Sequence, residues 1–244
     1  MTQPQTDERG YLKPNQETTS TWEKIRKPFV LIVLFVLPLG AYMFYQGAKH
    51  NQLFLPVINE HVSIPAGLVD TDGNPVEFDG YLSMIMFYGE EPNAYKYNTL
   101  NLTERIYEEY ASFDDSQFVT FLLPGAEKQW SDIQYQLSLT TDLQYWKTVV
   151  VSEDQLEQLY ESLTTSQPLN PDGGVGRLFL LDRDVNQRGR LDDEDTQDGL
   201  LPDYDTASVS AITNKLNDDV RILLREYRLA LKSNMSDQRR GKEK

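Results

Sequence analysis

Twenty-one consecutive residues, Pro28 to Ala48 (PFVLIVLFVLPLGAYMFYQGA), carry no charge. At 1.5 Å per residue a helix of that length spans about the 30 Å of bilayer hydrocarbon. Pro38 and Gly40 interrupt the run, and membrane helices tolerate both residue types. Tyr42, Phe44 and Tyr45 gather at its far end, as an interfacial aromatic belt does. A buried soluble helix seldom lacks a polar face for so long. A cleaved signal peptide would begin nearer Met1 and end at a small-residue site, whereas 27 residues come first here. Lys24, Arg26 and Lys27 precede the run and only Lys49 closely follows it, which puts the N-terminus in the cytoplasm. The expected organisation is a disordered cytoplasmic tail (1–27), a transmembrane helix (28–48), a linker (49–63), an outer domain (64–232) and a polar C-terminal tail (233–244). In a Gram-negative cell the anchor sits in the inner membrane and the domain in the periplasm.

Composition sharpens what the outer domain can do. The 244 residues include 38 acids, 23 bases, two histidines and no cysteine, for a net charge of −15. Residues 1–50 hold four acids and six bases, so the remainder carries 34 acids against 17 bases. A chain this acidic does not suit nucleic acid, whose phosphates demand clustered Lys and Arg. Without Cys there is no disulfide, no CxxC redox pair and no thiolate metal site. With only His50 and His61, a His-rich metal or catalytic centre is excluded as well. No cofactor is implied.

Apolar periodicity orders the outer domain. Asp72-Gly73 and Asn74-Pro75 supply turn chemistry for a hairpin over Gly67–Phe78. Leu82–Tyr88 is a nearly continuous apolar run, as a central buried strand requires. A helix over Asn98–Tyr110 follows, then a strand at Phe118–Leu123, a helix over Glu127–Leu139 and a strand at Trp146–Val151. Ser152 and Gln155 form a capping box that opens a further helix through Leu163. Arg177–Asp182 reads as the fourth strand, Arg188–Leu191 as an antiparallel return. A last helix runs from near Asp205 to Lys232 on the stripe Val209, Ile212, Leu216, Val220, Leu223. Such alternation predicts an α/β mixed sheet with helices on both faces.

This order, together with several residues, resembles the Sco/SenC branch of the thioredoxin-like proteins, over about residues 28–232. The anchor and Pro-containing linker match. Leu68-Val69-Asp70-Thr71-Asp72-Gly73-Asn74-Pro75-Val76 is similar to the family's L-x-D-x-D-G-x-x-V opening. The strand Met84–Tyr88 precedes the helical Asn101-Leu102-Thr103-Glu104. Leu178-Phe179-Leu180-Leu181-Asp182 resembles the F-x-L-I-D strand. The resemblance implies a membrane-anchored thioredoxin-like domain that serves cytochrome oxidase assembly, by copper delivery or thiol chemistry. The family's CxxxCP motif belongs after Tyr88. Here Gly89-Glu90-Glu91-Pro92-Asn93-Ala94-Tyr95 stands there, placing Glu91 and Tyr95 where the two thiols belong. Where the family's copper-binding His belongs stands Gly173-Gly174-Val175-Gly176. The expectation is a degenerate member: no enzyme and no metal, acting by protein contacts with oxidase or other respiratory-complex subunits.

Other candidates remain. Glu90 and Glu91 could form a carboxylate pair, for acid–base work or for copper delivery in an alternative reading. Asp182, Asp184, Asn186, Arg190 and Asp193 follow calcium-loop spacing, but position 6 is Gln187 and position 9 a cation, so a β-turn is the ordinary reading. Asp192, Asp193, Glu194 and Asp195 form the densest acidic run, a solvated loop or a docking surface for a basic partner. Tyr88, Tyr95, Tyr97, Tyr107 and Tyr110 either line a groove near the 90–95 loop or pack in the core.

Overall fold

The computed structural model describes residues 29, 30, 32–39, 54–113 and 115–242. Two units separate at Gln52. Of the first, residues 29, 30 and 32–39 are helical with exposed side chains, and the rest of the expected 28–48 span and the 1–27 tail lie outside the described residues. Among the described residues no helix is long and apolar enough to cross a membrane.

The second unit is built on a seven-stranded sheet of order β1-β6-β5-β2-β3-β4, with β7 also paired to β5. The strands are β1 (Val57–Asn59), β2 (Leu82–Gly89), β3 (Ser116–Leu122), β4 (Trp146–Val150), β5 (Gly174–Leu181), β6 (Gln187–Arg188) and β7 (Tyr204–Asp205). β2, β3 and β4 run parallel, while β5 is antiparallel to β2, β6 and β7. A parallel β-α-β unit (β2, β3) joined through β2 to an antiparallel β-β-α unit (β5, β6 and the last helix) is the thioredoxin-like arrangement. The mixed α/β fold expected from the sequence is therefore present in this unit.

Strand β2 explains why the sheet sits in the middle. All eight of its residues are buried. Because side chains alternate, Met84, Met86 and Tyr88 enter one core cluster while Ile85 and Phe87 enter the other. The first cluster receives α1 (Lys96–Leu102), α2 (Glu108–Tyr110), α3 (Glu127–Ser138) and α6 (Asn217–Lys242), through Leu102, Tyr110, Trp130 and Val220. The second receives α4 (Glu153–Glu161) and the 68–78 hairpin, through Leu156, Leu159, Val76 and Phe78. The Ser152–Gln155 capping box forms with both arms. A short helix, α5 (Val209–Ala211), leads through a π turn into α6. A second π turn, Thr103–Tyr107, interrupts the helix that begins with α1. There the hydroxyls of Thr99 and Thr103 donate back to the carbonyls four residues earlier, which loosens the helical ladder.

Two stretches differ from expectation. Residues 54–63, expected as linker, join the domain: Leu55 is buried and Val57–Asn59 pairs with β6. The final helix continues ten residues past the expected Lys232, to Lys242, and no Pro interrupts that stretch.

Candidate functional site

The loop after β2, where the resemblance puts the family's two cysteines, is built here from glycines and tyrosines. Gly89 ends β2 with φ +53°, and a Cβ there would run into the Asp172 carbonyl. The close approach lets Glu90 N–H donate to the Asp172 carbonyl at 2.8 Å and Leu123 N–H donate to the Gly89 carbonyl at 3.0 Å. Pro92 then opens a 3₁₀ turn, Pro92–Tyr95, that leads into α1.

Tyr95 fills the centre of the site. Only 7% exposed, its ring stacks on Tyr88 with centroids 4.9 Å apart and planes within 6°. The Asn170 side-chain amide donates to its hydroxyl at 3.0 Å. Gly174 lies directly beneath, where a Cβ would stand 2.6 Å from that hydroxyl. Burial raises the pKa of Tyr95; the Asn170 hydrogen bond opposes this and the Asp172 charge adds to it. Tyr88, deeper still, is raised further by burial. Both phenols are neutral groups at physiological pH.

The positions predicted from sequence thus separate. Pro92 and Tyr95 are buried, while Glu90 and Glu91 face solvent at the rim. Of the five tyrosines expected near the loop, Tyr88, Tyr95, Tyr107 and Tyr110 are core residues and only Tyr97, 75% exposed, is available to a partner. Cu(I) favours soft sulfur ligands. An exposed carboxylate, a neutral buried phenol and a glycine covered by that phenol do not fit it. The Asp182 loop is also committed. Asp182 accepts from the Asp184 and Asn186 backbone N–H groups, and the Arg188 guanidinium sits 2.9 Å from its carboxylate, supplying the cation. Among the described residues no cluster of three or more His, Asp or Glu could hold a metal ion.

The acidic run divides in the same way. Asp192, Glu194 and Asp195 are exposed. Asp193 is not part of a free surface, contrary to expectation. It is buried, bonded to Lys215 Nζ at 2.7 Å, and accepts the Asp195 N–H at 3.1 Å to close its own turn. Lys215 also reaches Asp195 at 2.7 Å, and this contact lowers the Asp195 pKa. The run forms one wall of a groove of about 960 Å³ whose opposite wall is α6 and whose end is Phe54–Pro56. Sequence reasoning missed this groove, because Phe54, Leu191 and Ile222 come together only in the fold. It also missed the Tyr95–Gly174 contact, for which the Gly173-Gly174-Val175-Gly176 run was the available signal.

No protein-family model matches the chain, and no curated protein matches it in sequence. Solved structures of similar fold do exist. A candidate protein disulfide isomerase of Bacteroides thetaiotaomicron aligns at 13% identity with a TM-score of 0.47, covering 71% of this chain and 95% of its own. The thioredoxin domain of a thiol-disulfide oxidoreductase of Bacteroides vulgatus aligns at 17% identity and TM-score 0.37, covering 52% and 84%. Copper-bound ScoI of Bradyrhizobium japonicum aligns at 13% identity and TM-score 0.39, covering 64% and 96%. These likenesses concern the fold. Against the expectation that the chain is no enzyme stand the names two of them bear, a protein disulfide isomerase and a thiol-disulfide oxidoreductase. The cysteines of thiol exchange are nonetheless absent from this sequence.

Proposed function

We propose that this chain is a membrane-anchored thioredoxin-like protein that works through protein contacts, in assembly or support of a respiratory complex of the cytochrome oxidase type. Residues 28–48 anchor it in the bacterial inner membrane, with the N-terminus cytoplasmic and the domain periplasmic. The observation that carries the reading is Tyr95. A buried, neutral, stacked phenol is locked over Gly174, at the position where the resemblance puts a thiol. The surface around it remains, with Glu90, Glu91 and Tyr97 on the rim, and exposed aromatic and charged side chains there suit recognition.

The test is photo-crosslinking in native membranes, with a benzophenone amino acid in place of Tyr97 in the full chain. The expected product joins the chain to a subunit of an oxidase-type complex, and deletion of the gene lowers the amount of assembled oxidase. Release of the protein by alkaline carbonate, or cross-links to no respiratory subunit, would overturn the proposal.

A further inference from the structure

The groove beside the acidic run has opposite charge at its two ends. Helix α6 supplies one wall, and Asp218, Ile222 and Arg225 lie along it at helical spacing. Asp218 and Arg225 are therefore about 10 Å apart on one stripe. The acidic end is fixed because Lys215, one turn before Asp218, holds Asp193 and Asp195, each at 2.7 Å. That contact sets Asp192 and Glu194 beside the start of the helix. The basic end is fixed because Leu55 N–H donates to Glu226 at 2.7 Å and Arg188 Nε donates to the Leu55 carbonyl at 2.9 Å. That clasp seats Phe54 beside Arg225. Phe54, 60% exposed, stands at the basic end, and Leu191, 56% exposed, adjoins the acidic run.

An acidic end that carries Leu191 and a basic end that carries Phe54 make a surface complementary to itself when turned end for end. Under two-fold symmetry each contact occurs twice, residue i on j and j on i. We infer that this groove is the interface of a homodimer, in which Asp192, Glu194 and Asp218 of one protomer face Arg225 of the other while Phe54 and Leu191 cover one another. Asp192, Glu194, Asp218 and Arg225 are exposed and make no ion pair among the described residues. The inference is independent of the Tyr95 site.

Native mass spectrometry of the full chain in detergent tests it. The unaltered chain is expected as a dimer. Glu194→Lys and Arg225→Glu, each alone, bring like charges together and weaken self-association by at least about tenfold. An equimolar mixture of the two variants restores a dimer containing one of each, because each altered charge then meets its opposite. Circular dichroism matched to the unaltered chain establishes that both variants fold. A monomeric unaltered chain overturns the inference. So does a dimer that survives both reversals, which would place the contact elsewhere in the chain. Two monomeric variants that fail to pair overturn it too, and assign the groove to a different partner.

Discussion

Replacing Gly174 by Ala tests the closure of the site by a single methyl group. Backbone strain does not enter, because Gly174 is not among the residues with positive φ. The new Cβ would stand 2.6 Å from the Tyr95 hydroxyl and 2.7 Å from its ring edge. The ring cannot yield cheaply, being stacked on Tyr88 and held by Asn170. Overpacking of this kind costs about 2 kcal/mol. Tyr95→Ala alone should cost about 3 kcal/mol, as loss of a buried aromatic ring does. Once the ring is gone the methyl has room. Gly174→Ala should then be stabilising by about 0.5 kcal/mol, because it restricts the unfolded chain. The double-mutant cycle therefore predicts a coupling of about 2.5 kcal/mol, near the top of the range for residues in contact. Urea unfolding followed by tryptophan fluorescence reads it, since Trp130 lies edge-on to Tyr88 with centroids 5.5 Å apart. Additive costs, agreeing to within about 0.5 kcal/mol, would show that Tyr95 is not seated on Gly174 and would remove the basis of the proposed function.

Three further outcomes are expected. Gly89→Ala should destabilise more than Gly174→Ala in the same unfolding assay, since it adds a positive-φ penalty to a clash with backbone that cannot rotate away. Arg190→Ala should cost about 3 kcal/mol in urea unfolding, because it strands the buried Asp219 carboxylate; Arg190 Nε lies 2.8 Å from Asp219, and Tyr204 donates to the same carboxylate at 2.7 Å. Burial pushes Tyr107, Tyr110 and Tyr160 up to about 12 from 10.0. A raised folded pKa means their contribution is complete below pH 10.0 and is lost as pH rises through about 12, so unfolding free energy should fall across that window, in step with tyrosinate absorbance.

Legibility in the sequence followed the range of the interaction. Strand β2 was readable because eight consecutive buried residues leave a local apolar run. The capping box at Ser152 was readable because both partners lie within one helical turn. The start of the domain was not, since Leu55 is held by Glu226, 171 residues away. The acidic run looked uniform in sequence, yet its members differ because Lys215 draws Asp193 inward. Burial of that one carboxylate is a property of a pairing 22 residues apart, and no local pattern encodes it.

By itself the sequence determined the α/β alternation, the uncharged stretch at 28–48 and the absence of any thiol, because these depend on residue type and short-range periodicity. It could also align Glu91 and Tyr95 with the place of two cysteines. Only the tertiary structure decided what those substitutions do. Glu91 remains in water, whereas Tyr95 turns inward, because Tyr88 offers a parallel ring, Asn170 a donor and Gly174 the space of a missing Cβ. Those partners come from β2, the 163–173 connection and β5, elements that meet only when the sheet closes β2 against β5.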